Sequence, residues 1–327
     1  MREGPVLVTG AAGFLGRTVC ADLLAHGIPV RAMVRGNGNA IPGAESVRAD
    51  LTDAPSIQEA VKGVSVIVHL AARVHVMKEK DPNPDRAYRL INVEGTRNLL
   101  SAAAAAGVER FVFISSVKAV GDHSTLPLTA ATPPTPVDAY GKSKLEAEAV
   151  VRGASAQNRM RTTTLRLPLV YGPHMGANML RLFHTVRRRI PLPLGAIFNA
   201  RSMVYSGNVA AAIRHVIQLE SPPPGPLFVA DYGDLSTPDL LRSVGNFLGS
   251  RPPLIPIPPL LLRLTAQLSA PGTLIGLPDL RPTIDRLTTS LQIDSRELER
   301  ATGFVPPFST EEGLRATAKW FLEASAA

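Results

Sequence analysis

Two hydrophobic periodicities alternate along the first two-thirds of the chain. Short runs rich in β-branched residues recur: "VLVTG" (6–10), "IPVRAMVR" (28–35), "SVIVHLAA" (65–72), "ERFVFISS" (109–116) and "TTTLRLPLVYG" (162–172). Their apolar residues do not alternate strictly with polar ones, which suits strands covered on both faces. Between them lie stretches with helical spacing. "GFLGRTVCADLLAHG" sets Leu15, Val19, Leu23 and Leu24 on one face, because positions three and four apart share a helix side. "NVEGTRNLLSAAAAAG" is a further helix, closed by Gly107, a residue suited to the left-handed turn after a helix end. Strands alternating with helices predict an α/β fold with a doubly wound parallel sheet.

From about residue 170 onward proline and glycine become frequent, in "RRRIPLPLG", "SPPPGP" and "RPPLIPIPPLLLRL". These breakers predict a smaller, irregular lobe interleaved with segments that return to the sheet. "IPIPPLLLRLTAQL" carries too few charges for a membrane-surface helix and reads as a packed helix of that lobe. No internal repeat is evident.

Composition adds little that is special. Of 327 residues, 45% are hydrophobic and 19% charged, a globular balance with ample core for one large domain or two unequal lobes. The first strand-like run starts too early to leave room for a signal peptide, and no apolar stretch is long enough for a membrane span. The single Cys20 cannot form an internal disulfide and falls in an apolar helical pattern, so it reads as a core residue in a reducing compartment. A cytoplasmic protein with no membrane contact is expected. The net charge of +8 is mostly arginine, with only seven lysines. It suits an anionic ligand, since guanidinium binds phosphate in a bidentate way. The "RRR" cluster at 187–189 has no aromatic partners nearby and reads as a solvated helix end, so nucleic-acid binding is not expected.

Candidate chemistry gathers at strand ends. "TGAAGFLG" places Gly10, Gly13 and Gly16 between the first strand and first helix. Glycines there let the backbone approach a pyrophosphate, and the helix N-terminus offers free N–H groups. At the end of the second strand an acid would bind ribose hydroxyls and select NAD; here stands Arg35. An arginine there suits a 2′-phosphate, so NADP(H) is favoured, with Arg17 as a second contact and NAD(H) as the alternative. Asp50 in "ADLTD" ends the next strand, where its carboxylate would accept from the adenine amino group or simply cap a turn. In "AYGKSK" Tyr140 and Lys144 are one helical turn apart. A neighbouring cation favours the phenolate, so Lys144 is expected to lower the Tyr140 pKa and make the tyrosine a proton carrier. No His/Cys/acid cluster has metal-ligand spacing. His69 reads as packing, and His75 begins an exposed loop.

"TGAAGFLG", "DLTD", "HLAA", "INVEGTRNLL", "FISS", "YGKSK" and "RLPLVYGP", in this order, resemble the extended short-chain dehydrogenase/reductase family (the NAD-dependent epimerase/dehydratase superfamily). "RSMVYSGNV" and "IDSRELERATGF" extend the resemblance over nearly the whole chain. It implies a Rossmann domain over 1–170 and a mainly substrate-binding lobe over 171–327, with some segments returning to the Rossmann domain. It implies Tyr140 as acid/base, Lys144 on the nicotinamide ribose, Ser116 on the reacting oxygen, and Asn92 in a water-linked relay to the lysine. Phe14, Leu15, Leu51, Leu70, Ala71, Ala72 and Pro168 are implied at the cofactor, beside the residues above. Lys118, Asn178, Arg201 and Arg286 are implied at a nucleotide-sugar substrate. A homodimer is implied, through the tyrosine helix and the alanine-rich helix.

Within the family, dehydratases carry an Asp-Glu pair where this chain has Val117 and Lys118, so dehydration is not expected. The 4-epimerases carry an asparagine where this chain has Leu169. With Arg35, this favours an NADPH-dependent reductase of a nucleotide-activated 4-keto sugar, of the UDP-4-keto-6-deoxy-N-acetylhexosamine type, in bacterial polysaccharide synthesis. The alternative is an NAD-dependent UDP-hexose or UDP-N-acetylhexosamine 4-epimerase. A non-catalytic NADP-binding regulator is a third reading, disfavoured by the intact Tyr–Lys pair. In "VYSGNV", Gly207 and Asn208 replace the family's more usual acidic "VD" pair, which leaves the local structure there open.

Overall fold

The computed structural model describes residues 4–36, 40–74, 82–157, 160–268 and 280–325; His75 lies outside them. The chain begins β1 (Val6–Thr9), α1 (Phe14–Ala25), β2 (Val30–Val34), β3 (Glu45–Arg48), α2 (Ala54–Ala60) and β4 (Val66–His69). It continues through α3 (Pro84–Arg89), a π-helical turn (Leu90–Glu94), α4 (Gly95–Ala105), β5 (Arg110–Ser116), α5 (Ala139–Gln157) and β6 (Arg161–Leu167). Then follow β7 (Leu169–Tyr171), α6 (Ala177–Arg187), β8 (Met203–Tyr205), α7 (Ser206–Gln218) and β9 (Leu227–Phe228). The last elements are α8 (Thr237–Phe247), α9 (Pro259–Leu268), α10 (Arg281–Thr288), α11 (Glu297–Thr302) and α12 (Thr310–Ala324).

Seven strands form one parallel sheet in the order β3-β2-β1-β4-β5-β6-β9. The chain moves outward from β1 to β3, then returns to place β4 on the other side of β1. That reversal opens a crevice beyond the C-terminal ends of β1 and β4, where ligands bind in such sheets. One face buries Val8, Val68, Val112 and Leu165 against Val19 and Leu23 of α1 and Ile213 of α7. The other buries Leu7, Ile67, Phe111 and Phe113 against Ile57 of α2, Leu99 of α4 and Ala147 of α5. Double coverage explains why these strands read as apolar runs. Cys20 is buried, and burial pushes its thiol up to about 12.

The structure divides "TTTLRLPLVYG", expected to be one strand. β6 stops at Leu167, and after Pro168 the chain leaves the sheet as β7, which pairs with β8 instead. Proline has no N–H to continue a ladder. The opening glycine helix and the alanine-rich helix form where the pattern places them, and Gly107 takes φ +73° past the end of α4.

In the smaller lobe, Met179 and Phe183 of α6, Leu241 and Val244 of α8, Leu262 of α9 and Phe321 of α12 share a core. Only part of α9 is packed: Leu262 and Ala266 are buried, whereas Leu260, Leu261 and Leu264 are exposed. The expectation that the arginine cluster lacks an aromatic neighbour is corrected. Arg187 lies 5.8 Å from the Phe321 ring centre, a contact brought by α12 from far along the chain. At "VYSGNV" the replacement leaves a regular helix start. Asn208 is buried, donating to the Asp231 carboxylate (2.7 Å) and the Phe308 carbonyl (2.8 Å). Tyr171 donates to the same carboxylate at 2.6 Å. Among the described residues no helix is long and apolar enough to cross a membrane.

His69 is buried between two threonines, 2.7 Å from Thr9 Oγ1 through Nδ1 and 2.9 Å from Thr96 Oγ1 through Nε2. Thr96 donates its hydroxyl proton to the Asn92 carbonyl, so its oxygen accepts from His69 Nε2–H. Nδ1 is then the acceptor of the Thr9 hydroxyl, and Thr9 Oγ1 accepts from the Ala71 N–H. Burial, with the Lys144 charge adding to it, drops the His69 pKa from 6.5 to about 3. An unfolded chain would bind a proton there that the folded one refuses, so stability falls as pH drops below the unfolded value. Thermal denaturation between about pH 6.5 and 5 should show a steeper loss of Tm for the native chain than for His69→Gln. Parallel curves would mean that other groups govern this range.

Candidate active site

Thr9 ends β1, and the chain turns through Gly10 at φ +69°. A Cβ on Gly10 would sit 2.9 Å from the Ala71 amide nitrogen. A Cβ on Gly16 would fall 2.1 Å from the Gly10 carbonyl oxygen. Glycine is therefore required for α1 to start this close to the strand. Gly13 caps α1 without any side-chain acceptor, so the first N–H groups of the helix face the crevice with the positive end of its dipole.

The crevice is a cleft of about 820 Å³. Its walls include Gly10, Gly13, Phe14, Leu15, Gly16, Arg35, Asp50, Leu51, Leu70, Ala71, Ala72, Ser116, Tyr140, Lys144 and Pro168. Apart from Arg17, every residue expected at a cofactor thus lines one space. The close-approach glycines and an uncapped helix N-terminus fit a dinucleotide pyrophosphate. Asp50 accepts from the Thr52 hydroxyl (2.6 Å) and amide (2.8 Å), and these bonds hold its pKa down, helped by the Arg35 charge. Arg35 is exposed at the end of β2. Arg17 donates through Nε to the Ala12 carbonyl at 3.0 Å, across the glycine turn.

Tyr140 and Lys144 both stand on the first turns of α5, and Ser116 ends β5 beneath them. Ser116 is hydrogen-bonded to the Tyr140 hydroxyl. The expected lowering of the Tyr140 pKa by Lys144 is corrected. Burial pushes the phenol up to about 12, with the Ser116 bond opposing and Asp138 adding to the rise. Lys144 is itself removed from water: Nζ donates to the Ile114 carbonyl at 2.6 Å and lies 4.2 Å from the Phe113 ring centre. Burial pulls its pKa down to about 7, and Glu148 limits the fall. A partly neutral ammonium is a weaker partner for a phenolate than the fully charged cation that the spacing suggests.

Asn92 lies within the π-helical turn, a local widening often found at functional sites. Its amide oxygen accepts from the Arg73 N–H (2.7 Å), and its nitrogen donates to the Arg73 carbonyl (3.0 Å) and Ser143 Oγ (2.8 Å). Ser143 in turn donates to the Tyr140 carbonyl. Asn92 therefore ties the crevice wall to α5 through direct bonds. Lys118 does not line the cleft. Its Nζ is held between Asp122 (3.0 Å) and Asp138 (2.6 Å), and Asp138 also accepts from the Gly141 N–H at the start of α5. Asn178, on α6, is not among the residues that line this cleft, nor are Arg201 and Arg286. Arg201 donates to the main-chain carbonyls of Arg286 (2.8 Å) and Thr289 (3.1 Å), and the Arg286 charge, after burial, lowers its pKa.

Several wall residues escaped the sequence reading, among them Val34, Ala49, Arg73, Ile114 and Ser115. Each lies within a position or two of a motif residue, at the C-terminal end of a strand or, for Arg73, in the loop that follows one, which was the available signal.

Residues 6–230 match the NAD dependent epimerase/dehydratase family. The chain is 33% identical over 324 residues to a UDP-glucose 4-epimerase of Vibrio cholerae, covering 98% of this chain and 96% of that protein. It is 25% identical over 328 residues to the N-acetyl-alpha-D-glucosaminyl-diphospho-ditrans,octacis-undecaprenol 4-epimerase of Escherichia coli O157:H7, covering 96% and 94%. The solved UDP-glucose 4-epimerase of Thermus thermophilus, complexed with NAD, superposes with a TM-score of 0.75 at 25% identity, covering 98% and 99%. The chain belongs to the NAD-dependent epimerase/dehydratase family. It is an NAD-dependent oxidoreductase/epimerase of the extended short-chain dehydrogenase/reductase type.

Lys118→Met should lower kcat by roughly tenfold while leaving KM within about twofold, because it frees the Asp138 charge to raise the Tyr140 pKa further. Steady-state kinetics decide: a raised KM at constant kcat would make Lys118 a substrate ligand instead.

Proposed function

We propose that the chain is an NAD-dependent 4-epimerase of a UDP-sugar. The observation that carries this reading is the match to the Vibrio cholerae 4-epimerase across nearly both full lengths, with Ser116, Tyr140 and Lys144 gathered on one cleft. The 4-keto reductase favoured by the sequence has less support, since the matching relatives named above are 4-epimerases.

NAD, when bound, supplies the hydride acceptor and donor for the sugar C4. The glycine turn and the α1 N-terminus hold its pyrophosphate, and Lys144 binds the nicotinamide ribose. Tyr140 takes the proton from the C4 hydroxyl and returns it after the sugar has presented its other face. Ser116 donates a hydrogen bond to the C4 oxygen and to the charge that develops there. Arg201 and Arg286, adjacent cations, suit the diphosphate of a nucleotide sugar. The working protein is a dimer formed through α4 and α5.

One observation favours the reductase as a second reading: Arg35 stands where an acid would select NAD. An epimerase keeps its dinucleotide through oxidation and re-reduction, whereas a reductase releases it after each turnover. Purified protein, once denatured, should yield stoichiometric NAD⁺, and the native protein should interconvert UDP-glucose and UDP-galactose, or their N-acetyl forms, without added cofactor. Protein without bound NAD that oxidises one NADPH per 4-keto sugar would establish the reductase. If Arg35 contacts a 2′-phosphate, Arg35→Asp should cost NADPH binding about 1.5–3 kcal/mol, the range of a charge-assisted hydrogen bond, and spare NADH. An unchanged NADPH/NADH ratio of kcat/KM would make Arg35 a bystander.

A further inference from the structure

Behind Lys144, on the side away from the cleft opening, lies an ion pair among the most completely buried in the described structure. Glu148 is 2% exposed and Arg166 3% exposed. Arg166 grips the carboxylate with two parallel bonds, Nε to Oε1 at 2.9 Å and Nη2 to Oε2 at 2.7 Å. Ser115 adds a third, donating Oγ–H to Oε1 at 2.6 Å. The three residues belong to three elements: Glu148 to α5, Ser115 to β5 and Arg166 to β6. Ser115 and Arg166 are register partners across the β5–β6 ladder, so the pair is locked to the sheet where Ser116 emerges.

The placement relative to the reacting groups is specific. Glu148 follows Lys144 by four residues, on the same helix face, and Lys144 follows Tyr140 by four. Tyr140, Lys144 and Glu148 therefore form one stripe down α5, and β5 meets it with Ser116, Ile114 and Ser115. The Ile114 carbonyl takes the Lys144 Nζ, while Ser115 takes the Glu148 carboxylate. Other groups turned toward the ammonium carry no opposing anion. Phe113 presents a ring face, and His69 on β4 is a neutral imidazole. Among these neighbours Glu148 supplies the negative charge, and it counters the desolvation of Lys144.

Stability alone is a poor reason for such a pair. Two desolvated charges often contribute no more than apolar residues of similar volume would. Arg166 Nη1 moreover is buried without a hydrogen-bond partner. We propose that Glu148, clamped by Arg166 and Ser115, is a positioning residue: it seats α5 on the end of β5 and keeps an anion one helical turn behind the Lys144 ammonium. Glu148 touches neither substrate nor cofactor; it acts through Lys144. The proposal rests on the Tyr140–Lys144 chemistry of the preceding subsection.

The test uses the intact protein with Glu148→Gln, and the double variant Glu148→Gln/Arg166→Met, which leaves no buried arginine uncompensated. Lys144 is labelled by fluorodinitrobenzene over a pH series and located by peptide mapping, a readout that needs no substrate. Only the neutral amine reacts, so loss of the anion should move the labelling midpoint about 1 pH unit lower in Glu148→Gln, where the Arg166 cation remains, and less far in the double variant, which removes both charges. The alkaline limb of the kcat profile for UDP-glucose epimerisation should move the same way, with KM little changed. A folded Glu148→Gln protein with the native labelling midpoint would overturn the proposal. So would a double variant that fails to fold, since the pair would then serve stability alone. A shifted midpoint in a protein that epimerises no UDP-sugar would leave this inference standing and reject the proposed substrate class.

Discussion

Everything at this site depends on an ammonium group taken out of water. Lys144 sits at the C-terminal edge of the sheet with its Nζ on the Ile114 carbonyl and the Phe113 ring beneath it. Desolvation of a cation is costly, and its pKa falls to about 7 in consequence. The fold can hold such a group only if α5 is fixed against β5 with little play. The start of α5 is fixed by Asp138, which accepts from Gly141 N–H and from Lys118. It is also fixed by the close approach of Gly141, where a Cβ would meet the Lys118 carbonyl oxygen at 2.3 Å. The next turns are fixed by Asn92 through Ser143. The buried charge is thus held in place by a glycine, an asparagine and a lysine from the surrounding elements.

The cleft arises from topology. Because the chain reverses its direction of strand addition at β1, the loops after β1 and β4 part from one another and leave space above the sheet. Gly10 and Gly16 let α1 enter that space from below, and Ala71 closes it from the β4 side. The threonine–histidine chain couples the two walls, running from the Ala71 N–H through Thr9, His69 and Thr96 to the Asn92 carbonyl. A neutral histidine suits this place because it gives and takes one hydrogen bond each, at opposite ends of a rigid ring.

The smaller lobe is joined to the sheet layer by a buried carboxylate rather than by apolar contact alone. Asp231, just after β9, accepts from the Tyr171 hydroxyl, from Asn208 at the start of α7 and from the Tyr205 N–H. Its pKa is raised by burial, with these donors opposing the rise. Each of its partners is neutral, so an asparagine at 208 serves this joint where a second acid would add repulsion.

Much of this was legible along the chain, and the part that was not has a common cause. The glycine spacing, the Tyr140–Lys144 stripe, the doubly covered strands and the C-terminal glycine of α4 are local patterns. Backbone sterics and helical or strand period are set within a few residues, so these features can be read from order alone. Only the fold decided that the run through Pro168 would break there and that β7 would pair with β8. The Phe321 ring over Arg187, the carboxylates around Lys118, and the Arg166–Glu148–Ser115 clamp join residues from distant segments. The direction of the Tyr140 and Lys144 pKa values followed the same rule. Spacing showed that the two side chains would be neighbours, whereas their charge depends on how much water the rest of the chain removes. Desolvation belongs to the tertiary structure, because no residue carries its burial with it.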